Sequence, residues 1–201
     1  MPDLETIRRA LAGHEPALRA DAQKRAAVAI VLRRGAEAPE ALFIERARHP
    51  GDPWSGHMAF PGGRVDPGDA GPRAAAERET REEVGLDLAP AEPLGRLDDL
   101  EGRHAGRRSG LVVSAFVYHH PEPGPLRTNH EVETAFWVPL AALRDPGRRV
   151  DHAIHDDLRP FPGIRVGAAD PHIVWGLTYR FVELFLGVAG KPLPDRWEEF
   201  S

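Results

Sequence analysis

The chain has 201 residues and a formal net charge of −5, with 41% hydrophobic and 28% charged residues. That is the make-up of a globular protein with room for a substantial core, and the charge has the wrong sign for a sequence-independent nucleic-acid binder. With no cysteine there are no disulfides, thiolate metal sites or thiol nucleophiles, and twenty Gly with twenty Pro favour many turns over a helical bundle.

In chain order, Asp3 to Leu11 reads as a short helix and Ala26 to Leu32 as a buried strand. Leu42 to Arg46 reads as its partner across a turn at Gly35 to Pro39, and Met58-Ala59-Phe60 as a short strand leading into Pro61-Gly62-Gly63. A helix then runs to Gly85, with Asp69 or Gly71 as its cap, Pro72 in its first turn and Gly85 as its stop. Leu94 to Leu97, Leu111 to Tyr118 and Thr134 to Val138 are further strands, followed by a helical turn over Pro139 to Leu143 and a ragged β segment from Val150 to Val166. A last helix begins at Asp170-Pro171, with Ile173, Val174, Leu177, Phe181, Leu184 and Phe185 as its core stripe.

The pattern predicts an α/β (α+β) domain with a mixed sheet and two principal helices. The N-terminus lacks a signal peptide's basic patch and apolar run, and no apolar stretch approaches the ~18 residues of a membrane span. The expectation is a cytoplasmic enzyme without membrane or nucleic-acid partners. The basic residues are almost all Arg, with Lys24 and Lys191 the exceptions; this suits bidentate phosphate recognition, although genomic composition is the plainer explanation.

The most informative stretch is Arg78-Glu79-Thr80-Arg81-Glu82-Glu83-Val84-Gly85. On a helix Glu79, Glu82 and Glu83 fall at i, i+3 and i+4, so three mutually repelling carboxylates share one face. Beside a Gly-rich loop, such a face calls for a hard divalent cation with oxygen ligands, and so for phosphate chemistry. The histidines show no tight ligand spacing that would indicate zinc.

The segment from Gly62 to Leu86 resembles the signature of the Nudix hydrolases, with Gly63, Arg78, Glu79, Glu82, Glu83, Gly85 and Leu86 matching. Three positions depart from it. The stretch from Gly63 to Arg78 is one residue longer than the pattern, Asp69 replaces its first Glu, and Thr80 stands where an aliphatic residue is common. Leu42 to Ala47, Gly56, Phe60 to Gly63, Asn129 to Val132, Phe136 to Leu140 and Ile173 to Thr178 are similar to segments of a coenzyme A pyrophosphatase-like subgroup. Trp54 and His57 depart from that subgroup's pattern.

The resemblance implies a Nudix-type mixed β-sheet sandwiched between α-helices, as one domain over residues 1–201 with a core at about 24–190, an N-terminal helix and a short C-terminal tail. It implies Mg²⁺ or Mn²⁺ on Glu79, Glu82 and Glu83, and hydrolysis of a diphosphate linkage in a small nucleotide substrate. That substrate is coenzyme A or acyl-CoA, or alternatively ADP-ribose, NADH or another nucleoside diphosphate derivative. A non-catalytic nucleotide sensor is the remote third reading. Dimers are common in the family.

Arg78 is expected to orient a carboxylate. The general base is Glu82 on the helix or Glu131 on a distant loop, with Glu133 a near rival. Arg46, Trp54, His57, Gly62 and Gly63 are the expected substrate-binding residues: Arg46 for phosphate, Trp54 for stacking on a base, and the two glycines for close backbone approach. Asp69 is expected to act as a plain helix cap.

Overall fold

The computed structural model describes residues 2–49, 55–104, 107–153, 160–167 and 172–193; the side chains of 103, 104, 107 and 108 lie outside the described set. Its elements are α1 (Leu4–Ala12), β1 (Lys24–Arg33), β2 (Glu40–Arg46), β3 (Met58–Ala59), β4 (Gly62–Arg64), α2 (Pro72–Val84), β5 (Glu92–Arg96), β6 (Leu100–His104), β7 (Arg107–His119), β8 (Val132–Pro139), α3 (Leu140–Arg144), β9 (Arg149–His152), β10 (Phe161–Arg165), β11 (Ile173–Trp175) and α4 (Gly176–Val188).

Eight strands form one mixed sheet with the path β3-β2-β1-β7-β5, to which β4 adds on β1, β6 on β7 and β8 on β2. The β1/β7 pairing is parallel, from Lys24 opposite Leu111 to Leu32 opposite His119. Period-2 alternation along the central strands separates two apolar layers. Ile30, Leu32, Phe43, Val113, Ala115 and Val117 face α1 and α4, packing with Ile7, Leu11, Phe181, Val182, Phe185 and Leu186. Ala27, Ala29, Val31, Leu42 and Ile44 face α2, packing with Ala75, Ala76 and Val84. The sheet is thus sandwiched between helices, as expected from the sequence.

The α2 layer is built from small side chains. Ala27, Ala29, Ala75 and Ala76 are all fully buried, so helix and sheet approach closely and the acidic face of α2 is drawn over the β3–β4 connection. Thr80 fits this layer because its hydroxyl donates to Ala76 O at 2.7 Å, satisfying its only polar group inside the helix.

β1 and β2 pair only through Leu32/Ala41 and Arg33/Glu40. Farther along they part, and β3 continues on β2 while β4 continues on β1. Phe60-Pro61 bridges the gap, with Pro61 O accepting from Ala29 N at 2.9 Å. Gly62 must be glycine here. Its φ is +150°, and a Cβ would overlap Ala27 O and lie 2.6 Å from Val28 Cα.

Two expectations are corrected. The C-terminal helix starts at Gly176, because Ile173–Trp175 pairs as a strand with β10. β-branched Ile173 and Val174 suit the sheet, and Gly176, at φ +60°, turns the chain into the helix. Asp170 and Pro171 lie outside the described residues. The α2 cap is Gly71, with no side-chain cap bond, and Asp69 is committed elsewhere. β6, with its charged sequence, escaped the reading of apolar periodicity. A second, antiparallel sheet, β11-β10-β9, takes two short strands from the ragged segment, β9 and β10, and its third from Ile173–Trp175. Among the described residues no helix is long and apolar enough to cross a membrane.

Candidate active site

The site grows from β4, the loop after it and the second half of α2. Glu83 is 2% exposed, and Gly62 N–H donates to its Oε2 at 2.8 Å. Gly63 sits against the next turn: a Cβ there would run into the Glu79 carboxylate, reaching Cδ at 2.5 Å. The two glycines therefore make room for β1 and for Glu79 respectively, a packing duty separate from the close substrate approach read from the sequence.

Arg78 organises the outer side. Its Nε and Nη2 donate to Asp69 Oδ1 and Oδ2 at 3.0 Å each, its Nη1 to Glu79 Oε1 and Glu82 Oε2 at 3.0 Å each, and Nη2 also to Arg64 O at 3.1 Å. This is a planar fork used to capacity. Asp69, which also accepts from Asp66 N, anchors the guanidinium from the loop; that commitment is why it does not cap the helix. Its role was legible only as an acidic residue at the right distance, because nothing in the sequence shows which Arg it meets.

A distant loop completes the group. Arg127 N donates to Val84 O at 2.9 Å and Asn129 N to Glu83 O at 3.1 Å, so the loop satisfies carbonyls at the end of α2. Asn129 Oδ1 then accepts from Glu131 N at 2.9 Å, and Glu131 O accepts from Ala47 N at 2.8 Å. These bonds carry Glu131 to the helix: Glu79, Glu83 and Glu131 each offer a carboxylate oxygen, all within 4.8 Å of one another. Asn129 is the positioning residue whose function the sequence did not reveal, although its segment stood out.

Glu82 stands outside that group of three, half-exposed and held by Arg78. Glu133 is exposed, at an irregularity where Arg46 pairs with Val132 and Glu45 with Thr134. Arg46 N donates to His57 O at 3.1 Å, placing His57 on one flank of the β2 end and Glu131 on the other. Trp54 lies outside the described residues.

Burial pushes the Glu83 carboxyl up to about 8; the charges of Glu79 and Glu131 add to this, while the Gly62 N–H and Arg46 oppose it. Burial also raises Glu79, against the pull of Arg78 and with the push of Glu82 and Glu131. Crowded, partly desolvated carboxylates of this kind are the donor set of a hard divalent cation, so the residues present fit Mg²⁺ or Mn²⁺. Two shallow concavities, of about 280 and 390 Å³, lie toward the other end of α2 around Arg73, Arg96 and Phe116 and contain none of these groups. Gly63→Ala tests the packing. It should leave the fold intact but displace Glu79 and weaken Mn²⁺ binding by about 10- to 100-fold, as titration calorimetry would read.

The NUDIX domain family matches residues 23–158. The Nudix hydrolase NudL of Salmonella newport is 34% identical over 174 residues, which cover 85% of each chain. A Schizosaccharomyces pombe protein is 41% identical over 112 residues, 54% of this chain and 34% of its own length, so the chain spans about a third of that relative. Among solved structures, a MutT/nudix family protein from Enterococcus faecalis superposes with a TM-score of 0.52 at 19% identity, over 88% of this chain and 68% of its own. A Caenorhabditis elegans Ap4A hydrolase gives 0.50 at 24% identity, over 59% and 81%. These likenesses bear on the fold. With the signature helix, its loop and the family match over most of the chain, the protein belongs to the Nudix family and is a pyrophosphohydrolase.

Proposed function

We propose that the protein hydrolyses the diphosphate linkage of a nucleoside diphosphate derivative, coenzyme A or acyl-CoA before others, to a 4′-phosphopantetheine species and adenosine 3′,5′-bisphosphate. The observation that carries the reaction is the convergence of Glu79, Glu83 and Glu131 beside Gly62 and Gly63 of β4. The choice of coenzyme A rests on the subgroup-like segments around Arg46, Phe60 to Gly63, Asn129 to Val132 and Trp175. ADP-ribose or NADH is the second reading, favoured by His57, which departs from that subgroup's pattern beside the site. A purely sensing role is disfavoured, since the acidic group is whole.

In this reading Glu79 and Glu83 hold Mg²⁺ or Mn²⁺, with Glu82 completing the acidic set. A bound ion would neutralise charge on the phosphoryl oxygens and acidify a water. Arg78 fixes the Glu79 carboxylate, Gly62 N–H fixes that of Glu83, and Arg46 contacts a phosphate. Glu131 takes the proton of the attacking water. The new P–O bond forms as the bridging P–O bond breaks, and the leaving phosphate carries away the electron pair.

A panel of coenzyme A, dephospho-coenzyme A, ADP-ribose and NADH, read by product mass, tests the substrate. Coenzyme A surviving while another is cut rapidly overturns the first choice. Glu131→Gln should lower kcat by about 10²- to 10⁴-fold and leave Mn²⁺ affinity within a few-fold. A parallel collapse of Mn²⁺ affinity would make Glu131 a ligand instead.

A further inference from the structure

The small sheet turns an aromatic face away from the core. Ile164, Val166 and Val174 point inward and are at most 6% exposed. By strand alternation, the other face carries His152, Phe161 and Trp175, brought together by register: Phe161 is opposite His152, and Gly163 is opposite Trp175. The Trp175 ring lies 4.8 Å from that of His152 and 5.7 Å from that of Phe161, and the His57 ring meets it edge-on at 4.6 Å and 69°. Phe161 is 40% exposed, one of two large hydrophobic side chains so exposed among the described residues. Gly163 lets the sheet close: a Cβ there would press on Ile173 Cγ2 at 2.8 Å and Val150 Cγ2 at 3.1 Å.

The end of β2 links this face to the carboxylates. His57 bonds one flank of the β2 end, through Arg46 N, and Glu131 bonds the other, through Ala47 N. Two strand spacings, about 10 Å, therefore separate the two flanks. That is the order of the reach from a diphosphate to the base of the same nucleotide. Aromatic rings, two of them imidazoles, offer π-faces and polar edges to a planar heterocycle, and stacking of that kind tolerates different bases.

We propose that the outward face of β9–β11, with His152, Phe161 and Trp175 and with His57 against its edge, seats the nucleobase of the substrate while the diphosphate lies on the carboxylates. The inference rests on the hydrolase reading above and adds where the base goes. It transfers to Trp175 the stacking that the sequence suggested for Trp54.

Phe161→Ala in the full-length protein should raise KM about tenfold for the nucleotide cut fastest in the panel, with kcat within about twofold, and Phe161→Tyr should restore KM. In the metal-free protein, the fluorescence of 1,N6-ethenoadenosine 5′-diphosphate should be quenched on binding, and Trp175→Phe should relieve the quench while retaining most of the affinity. Unchanged KM in Phe161→Ala, with turnover intact, overturns the base seat and leaves the hydrolase reading standing. Quenching that depends on Trp175 in a protein that cuts none of the panel keeps the seat and removes the substrates proposed above. A KM effect confined to acyl-CoA, with etheno-nucleotide binding unchanged, would assign the face to the acyl arm and overturn the proposal, as would a change from dimer to monomer in Phe161→Ala without a KM effect.

Discussion

Glu83→Gln is expected to lower metal-dependent hydrolysis by at least about 10²-fold and, at the same time, to make the metal-free protein more stable in alkaline buffer. The first effect follows from removing one of three crowded carboxylates. The second follows from the burial of Glu83, whose carboxyl is pushed up to about 8 from an ordinary 4.5. Between those two values the unfolded chain gives up the proton and the folded protein keeps it, so ionisation favours unfolding. Stability is lost as pH rises through that window, by at most about 1.4 kcal/mol per pH unit, and the loss is complete above the folded value.

Glutamine carries no such proton and can still accept from Gly62 N–H. Thermal unfolding in EDTA should therefore show the advantage of the variant widening from about pH 4.5 to about pH 8 and then holding level. Saturating Mn²⁺ should reverse the order at pH 8, because only the wild type gains the full binding energy. Identical pH profiles for the two metal-free proteins would mean that Glu83 is hydrated and ionises normally.

The order of legibility along this chain has a physical cause. The acidic helix was legible because its signals are local: Pro72 at the start, Gly85 in a left-handed stop at φ +68°, and three carboxylates whose spacing only a helix makes one face. The central strands were legible through long apolar runs buried on both faces. What was not legible depended on partners far apart in sequence. Asp69 reads as a cap until Arg78 is seen to claim both its oxygens. Ile173–Trp175 reads as the first turn of a helix because three apolar residues fit either period, and β10 decides the matter by pairing. Asn129 gives no hint that its backbone will tie to Glu83 O and its side chain to Glu131 N. Periodicity reports which face a residue takes; it does not report which distant loop will cover the end of a helix.

Arg78→Lys should lower kcat by about 10- to 100-fold although the charge is kept. The guanidinium here makes five bonds, two to Asp69 and one each to Glu79, Glu82 and Arg64 O. An ammonium has three donors on one atom and cannot span a bidentate carboxylate and two further acids in one plane. It would satisfy the loop or the helix, and Glu79 would lose its fixed orientation. Circular dichroism should be unchanged, while Mn²⁺ affinity falls together with kcat.

The same contact offers a way to decide what Glu82 does. If Glu82 acts by holding Arg78, Glu82→Gln should cost only a few-fold, and in Arg78→Lys it should cost nothing further, because the bond it served is already gone. If it ligates the ion or takes the proton, Glu82→Gln should cost as much as Glu83→Gln, in both backgrounds. A cycle of the two single variants and the double, read as kcat and as Mn²⁺ affinity, separates a carboxylate that steadies the site from one that works in it.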